Sequence, residues 1–437
     1  MKTKILTTLV LVLLALGSLG CSSILPSAAP TQAKVEPTKV SFTSPFEQAL
    51  ERTNAEFKKG NFDQALAEYT KAIESDPKSA VAYNNRGMAY KAKANPELAK
   101  ADDKVTELGL KDAALYTSQG AGFEGKGNLL DQAIADYTKA IAIDPKYALA
   151  YYNRGRAYEA KNNPDQAFSD YTKVLELDPT DAAAHNYRGV FYHDQEKYDD
   201  AIVEYTKAIE SDPKYARAYS NRGNVYDAKG NLDQALADYT KAIELDSRYA
   251  RAYNNRGLVY YAQGKLDQAL ADYNKAIEAD SKWALAYSNR GRVYYDQGNF
   301  DRAIVDFNRV IELDPNNALA YAYRGAAYTE KGDWDRGLAD CNKAIELDPT
   351  MDAAYHNRGI AYWKKGNLDQ AIADLTKAIE LDPTSTSAIT YKYRGSVYRA
   401  KGMKEQATAD FQKYLELNPK ASDRTQVEQW LRELKGQ

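Results

Sequence analysis

Residues 216–249 read ARAYSNRGNVYDAKGNLDQALADYTKAIELDSRY, and this stretch decides the fold of the chain. Its first half carries Tyr219, Gly223 and Tyr226 at spacings of four and three residues, and its second half repeats this spacing with alanine and tyrosine. Such spacing places the residues on one face of an α-helix. The stretch therefore predicts two amphipathic helices, with Asn231 expected to cap the second by accepting its free amides.

The same pattern recurs every 34 residues along most of the chain. The glycines equivalent to Gly223 are Gly155, Gly189, Gly257, Gly291, Gly325 and Gly359. One pair of helices cannot bury its own apolar face, so the stacking of consecutive pairs must supply the core. The sequence predicts an all-α solenoid in which each glycine lets two helices approach closely, beside a tyrosine such as Tyr239.

These residues carry a family resemblance. Tyrosine, glycine, tyrosine, alanine, aromatic, alanine and proline at these offsets resemble the tetratricopeptide-repeat (TPR) family over residues 46–421. The resemblance implies a right-handed superhelical solenoid of about eleven TPR helix-turn-helix repeats, in which helix A of each repeat lines the concave surface. Residues 422–437 carry one further amphipathic pattern, which predicts a C-terminal capping helix.

The first 45 residues follow a different pattern. Two lysines precede an apolar stretch over residues 5–16, which is too short to span a bilayer and is typical of a signal peptide. Residues 17–22, GSLGCS, resemble the bacterial lipobox. The resemblance implies a signal peptide over residues 1–21 and a lipid anchor on Cys21, in the outer membrane or cell membrane and facing the periplasm or exterior; a soluble secreted protein cleaved elsewhere is the alternative. Residues 22–45, rich in proline, serine and threonine, predict a disordered tether.

Composition and motifs argue against several functions. Lysine and arginine number 58 against 61 acidic residues, so no excess of cations favours a nucleic acid. The sequence has no phosphate-binding loop, HExxH motif or dinucleotide fingerprint. We therefore expect no enzyme, cofactor, metal or small-molecule substrate. Cys341 stands where other repeats have a large aromatic residue, which predicts a small buried apolar side chain.

Charged residues recur inside the repeat. An arginine precedes the glycine in most units, as Arg222 does, where the family usually has leucine. An acid follows the alanine of helix B by three residues, as Asp238 does. We predict an ion pair between them in each unit, because burying either charge alone is costly. A row of ligand-binding arginines is the alternative.

A second row stands two residues before each glycine, where the family resemblance implies that the side chain points into the groove. The row comprises Asn85, Asn153, Asn221, Asn255, Asn289 and Asn357, with Tyr187 and Tyr323 in the same slot elsewhere. A carboxamide both donates and accepts, so the row can hold the backbone of an extended peptide. This is similar to the asparagine ladder of O-linked N-acetylglucosamine transferases; asparagines that merely satisfy neighbouring helix termini or water are the alternative. Flanking candidates are Arg156, Arg217, Asn224, Arg251 and Arg292.

These features predict a non-catalytic protein-protein interaction scaffold. It is expected to bind extended segments of client proteins in a concave groove at the cell envelope, with the lipid anchor supplying its location. A glycan- or peptidoglycan-binding envelope protein is the alternative, because tyrosine rings can stack on sugars. An enzyme with a site assembled across repeats is a third and weaker hypothesis.

Overall fold

The computed structural model describes residues 45–94, 126–384 and 388–436, which form 21 α-helices and contain no strand. The all-α fold is thus confirmed. The predicted signal peptide, Cys21 and nearly all of the tether lie outside the described residues. Numbered in chain order, the helices are α1 Pro45–Lys58, α2 Phe62–Ser75, α3 Ala80–Ala94, α4 Lys126–Ile143, α5 Ala148–Ala160, α6 Pro164–Leu177, α7 Ala182–Asp194, α8 Tyr198–Ser211, α9 Ala216–Ala228, α10 Leu232–Leu245, α11 Ala250–Ala262, α12 Leu266–Ala279, α13 Ala284–Asp296, α14 Phe300–Leu313, α15 Ala318–Glu330, α16 Trp334–Leu347, α17 Asp352–Lys365, α18 Leu368–Leu381, α19 Ala388–Ala400, α20 Lys404–Leu417 and α21 Arg424–Lys435.

The first twenty helices pair into ten hairpins, in which an odd-numbered helix A is followed by an even-numbered helix B. The described residues fall into two compact units, one up to Ala252 and one from Tyr253 onward. In the second hairpin, α3 packs against α4 although residues 95–125 separate them in the sequence. The additional helices predicted for an eleventh repeat fall within residues 95–125, outside the described residues.

Close contact between glycine and tyrosine joins the two helices of a hairpin. A Cβ atom added to Gly223 would lie 2.9 Å from Cε1 of Tyr239, and one added to Gly189 would lie 2.6 Å from Cε1 of Tyr205. Both tyrosines are fully buried, and burying such a side chain stabilises the fold by roughly 1.5–3 kcal/mol. The predicted packing is confirmed, and Cys341 fills the equivalent space as a buried free cysteine.

Backbone hydrogen bonds close the turn between the helices. In the α9–α10 hairpin, Asn231 N donates to Tyr226 O at 2.8 Å, and Gly230 adopts the left-handed conformation that glycine tolerates best. The Asn231 side chain makes no capping hydrogen bond, so its predicted capping function is wrong. The equivalent Asp333 does cap its helix, accepting from Arg336 N at 3.2 Å.

Helix α21 packs on the last hairpin through the apolar face that the sequence predicted. Val427 is fully buried against Phe411 and Tyr414 of α20, and Trp430 covers the same cluster. Within the described part of the chain, no helix combines the length and apolar character needed to cross a membrane.

Candidate functional site

The asparagine row lies on the A helices and is largely buried. Asn221 and Asn289, 4% and 6% exposed, each donate Nδ2 to an asparagine on the preceding A helix. The acceptors are Oδ1 of Asn186 and of Asn254, both at 2.9 Å. The row therefore links neighbouring A helices to each other.

Other members of the row make comparable contacts. Asn153 donates to Oδ1 of Asn84 at 3.0 Å, and Asn357 donates to the carbonyl of Ala322 at 3.1 Å. The remaining contacts run from Asn85 Nδ2 to Asn54 Oδ1 at 3.3 Å and from Asn254 Nδ2 to Asn255 Oδ1 at 3.1 Å. Unpaired buried amides are costly, so these bonds give the row a structural function. Contact between the row and a client backbone stays a prediction.

The two tyrosines of the same slot each contact an arginine of the preceding A helix. Arg156 donates Nη1 to the Tyr187 hydroxyl at 2.7 Å, and its guanidinium lies 5.0 Å from the centre of that ring. In the other unit, the Arg292 guanidinium lies 5.1 Å from the ring centre of Tyr261 and 5.8 Å from that of Tyr323. The structure thus brings together four of the predicted residues in two arginine–tyrosine contacts.

Arg156 also has an acidic partner that the sequence reasoning missed. Glu159 Oε2 lies 3.1 Å from Arg156 Nε, one helical turn away. Burial raises the pKa of the Glu159 carboxyl, while the charges of Arg156 and Arg217 oppose that rise. Burial and the charge of Glu159 raise the pKa of Asp194 to about 6. The i, i+3 spacing of Arg156 and Glu159 is the signal that would have found this pair.

The remaining candidates have different environments. The Arg217 side chain is fully buried, and none of its guanidinium nitrogens has a hydrogen-bond partner among the described residues. Its charge acts on Glu159 without a direct bond. Asn224 accepts a hydrogen bond from the Tyr239 hydroxyl at 2.9 Å, within its own hairpin. Arg251 is half-buried in the first turn of α11.

The predicted ion pair is confirmed in seven hairpins. In α9–α10, Arg222 donates Nε and Nη2 to the two carboxylate oxygens of Asp238, both at 2.8 Å, and Nη1 to Thr206 at 3.1 Å. The hydrogen bonds with Asp238 raise the pKa of Arg222. The seven pairs are Arg154–Asp170, Arg222–Asp238, Arg256–Asp272, Arg290–Asp306, Arg324–Asp340, Arg358–Asp374 and Arg394–Asp410. Because the guanidinium groups are bonded inside the protein, this row serves structure.

Two hairpins depart from the expected pairing. Arg86 binds Asp136 of α4, whereas the acid predicted for its hairpin falls within residues 95–125, outside the described residues. In α7–α8, Glu204 lies 3.5 Å from Arg188 and only 2.8 Å from Nδ1 of His185. Burial alone would raise the pKa of Glu204, but the His185 hydrogen bond and the Arg188 charge lower it on balance.

No metal centre is evident in the described ranges, where no group of three or more histidine, cysteine, aspartate or glutamate residues is placed to hold an ion. Burial raises the pKa of the Cys341 thiol to about 12, which keeps it protonated and unreactive.

Comparison with known families gives a match over most of the chain. Models described as "TPR repeat" match residues 54–93, 126–162, 191–230, 223–264, 257–298, 291–332 and 325–366. Models described as "Tetratricopeptide repeat" match residues 148–181, 170–203, 353–385 and 394–420.

Individual relatives match shorter stretches. The chain is 34% identical over 99 residues to "Tetratricopeptide repeat protein 6" of Homo sapiens, covering 23% of this chain and 19% of that protein. It is 35% identical over 103 residues to "Probable UDP-N-acetylglucosamine--peptide N-acetylglucosaminyltransferase SPINDLY" of Hordeum vulgare, covering 22% of this chain and 11% of that protein. The solved structure of the APC/C hetero-tetramer Cut9–Hcn1 is similar with a TM-score of 0.50 and 17% identity, over 80% of this chain and 76% of that one. That likeness concerns the fold.

Proposed function

The chain belongs to the tetratricopeptide-repeat family, and on that premise we propose that it is a non-catalytic scaffold that binds extended segments of client proteins along its A helices at the cell envelope. Proteins of this family generally mediate protein–protein interactions. The observation that carries the proposal is the tandem series of A helices, on which equivalent positions recur every 34 residues from α5 to α17. Such a series can offer a client the same kind of contact once per repeat.

The spacing of packed helices suits an extended ligand. Neighbouring helices pack about 8–10 Å apart, and an extended chain advances about 3.3 Å per residue. One repeat therefore corresponds to about three residues of a client, so equivalent positions on successive A helices would contact the client at a regular interval. Tyrosine and arginine, which recur on the A helices, are also the residues most enriched at binding hot spots.

The proposed location rests on the sequence of the first 22 residues. A signal peptide followed by an acylated Cys21 would deliver the chain to a membrane surface, and residues 22–45 would separate the repeats from that surface. The location and the client binding are independent parts of the proposal, and they are tested separately.

Site-specific photocrosslinking tests the client binding. A photoreactive residue at Arg251, on helix A, is expected to capture proteins of the envelope fraction. The same residue at Lys241, exposed on helix B of the preceding hairpin, is the matched control and is expected to capture few or none. Equal capture from both positions would contradict binding along the A helices. Asn221 is a poor test position because its amide bonds Asn186 inside the fold.

Two further arms complete the experiment. The Cys21→Ala variant is expected to leave the membrane fraction, and its retention there would argue against the lipid anchor. Purified muropeptides added before irradiation test the alternative function. If muropeptides abolish capture at Arg251 and extended peptides do not, the protein binds glycans.

A further inference from the structure

The two arginine–tyrosine contacts differ in one respect that points to a ligand. Arg156 and Arg292 are separated by four repeat lengths of 34 residues, and so are Tyr187 and Tyr323. The two contacts are therefore equivalent positions of the repeat, one in each unit. Their arginines nevertheless have different partners.

Arg156 has a phenol and a carboxylate partner in its own chain. Its Nη1 binds the Tyr187 hydroxyl, and its Nε lies 3.1 Å from the Glu159 carboxylate. An arginine in this slot therefore has a geometry that accepts a carboxylate beside the tyrosine ring. The position four repeats after Glu159 is Tyr295, so the equivalent contact lacks this acid.

Arg292 is only 7% exposed, and its guanidinium contacts the rings of Tyr261 and Tyr323. Within the described part of the chain, no group accepts a hydrogen bond from its guanidinium and no carboxylate lies at ion-pairing distance. Asp296 is the nearest acid in sequence; its Oδ2 accepts the Tyr261 hydroxyl at 2.5 Å, and its charge acts on Arg292 without a direct bond. The guanidinium thus has aromatic contacts but no hydrogen-bond acceptor among the described residues.

We infer that Arg292 is a subsite for a carboxylate side chain of the bound client, so that the extended segment carries an aspartate or glutamate at this position. The inference deepens the proposed function and rests on it. A desolvated guanidinium without hydrogen bonds is unfavourable, and a planar carboxylate matches its N–H groups in pairs. The internal carboxylate of Glu159 beside Arg156 shows which chemistry fits. The tyrosine rings hold the guanidinium in place for that ligand.

A display library of short random peptides, selected on the full chain, tests the inference. Peptides selected on the unmodified protein are expected to be enriched in aspartate and glutamate. Selection on Arg292→Met is expected to lose this enrichment, and selection on Arg292→Lys to retain part of it, because lysine keeps the charge without the paired donors. Arg302→Met is the matched control and is expected to preserve the enrichment, since Arg302 lies exposed on helix α14 with its guanidinium 5.5 Å from the ring centre of Tyr294.

Fluorescence anisotropy with one selected peptide then gives the magnitude. The unmodified protein is expected to bind the glutamate peptide about tenfold more tightly than its glutamine analogue, whereas Arg292→Met binds both equally. Circular dichroism confirms that the Arg292→Met and Arg292→Lys variants are folded. Binding that survives amidation of the peptide C-terminus assigns the side chain, whereas loss on amidation overturns that assignment in favour of a terminal carboxylate.

Failure of the subsite and failure of peptide binding give different results. If acidic peptides are still preferred by Arg292→Met, or if Arg302→Met loses the preference equally, the subsite is wrong and peptide binding stands. If the unmodified protein selects no peptide at all, peptide binding itself fails and the subsite falls with it.

Discussion

The hairpins α7–α8 and α9–α10 are neighbours in one unit, yet their acids bind different cations. In α9–α10, Asp238 accepts two hydrogen bonds from Arg222 at 2.8 Å. In α7–α8, the longer Glu204 lies 3.5 Å from Arg188 and 2.8 Å from His185. Glutamate has one methylene group more than aspartate, and the Glu204 carboxylate lies closer to His185 than to Arg188. The repeated pair therefore depends on the length of the acid as well as on its charge.

The residues around the acid also differ between the two hairpins. His185 occupies the position where α9 has Tyr219, whose ring lies 5.8 Å from the Arg222 guanidinium. Arg188 instead lies 5.1 Å from the ring of Phe168, and its buried Nε has no hydrogen-bond partner among the described residues. Glutamate and histidine thus act together in α7–α8 as a substitute for the aspartate and tyrosine of α9–α10.

The largest expected loss of stability comes from breaking the Arg222–Asp238 ion pair. Asp238→Ala leaves Arg222, only 18% exposed, with Thr206 as its remaining side-chain acceptor. Loss of one partner from a buried pair costs about 3–5 kcal/mol. Hydrogen exchange of the α9 and α10 amides is expected to accelerate accordingly.

The double variant Arg222→Leu/Asp238→Ala is the control for this prediction. Leucine is the usual residue of the family at this position, and apolar replacement of a buried pair is often neutral. The double variant should therefore recover most of the lost protection. Equal losses in the single and double variants would show that the pair is not the source of the effect.

A smaller effect is expected in the irregular hairpin. His185→Tyr removes the closest hydrogen-bond donor of Glu204 and should cost about 1–3 kcal/mol, because the buried carboxylate keeps only its 3.5 Å contact with Arg188 and the exposed Lys207. Adding Glu204→Asp recreates the combination found in α9–α10 and should restore stability. Denaturant midpoints of the two single variants and the double variant measure this coupling. Additive single effects would contradict it.

The sequence predicted features that depend on contacts within one hairpin. Gly223 against Tyr239 and Arg222 against Asp238 follow from positions fixed along two consecutive helices, and both were found. The bonding of Asn221 was not predicted, because it depends on how closely the preceding A helix places Asn186.

The candidate site was predicted only in part for the same reason. Arg292 was expected to be a groove residue, but its lack of an acidic partner appears only when Tyr261 and Asp296 are seen to bond each other. The Asn231 cap was expected from residue type alone, and residue type does not fix the side-chain rotamer.

The smallest expected effect is a pH dependence of stability that arises in the α7–α8 hairpin. Asp194, at the end of α7, has its pKa raised to about 6, whereas an unfolded aspartate titrates near 3.9. As pH falls, the folded state therefore binds a proton before the unfolded state does. The contribution of Asp194 to stability rises as pH falls from about 7 to about 4. Glu204 has the opposite sign, because its folded pKa is lowered. Its contribution is present above the unfolded value of about 4.3 and is lost as pH falls through the folded pKa.

Denaturant midpoints measured from pH 7 to pH 3 separate these two contributions. Asp194→Asn should remove part of the stability gained as pH falls from about 7 to about 4. Glu204→Gln should remove part of the stability lost as pH falls further, since neither amide titrates. Each variant is compared with the unmodified chain at every pH, so that the other carboxyl groups cancel. A Glu204→Gln profile parallel to that of the unmodified chain at low pH would mean that the His185–Glu204 contact carries no net charge interaction. The acid of α7–α8 would then differ from Asp238 in geometry alone.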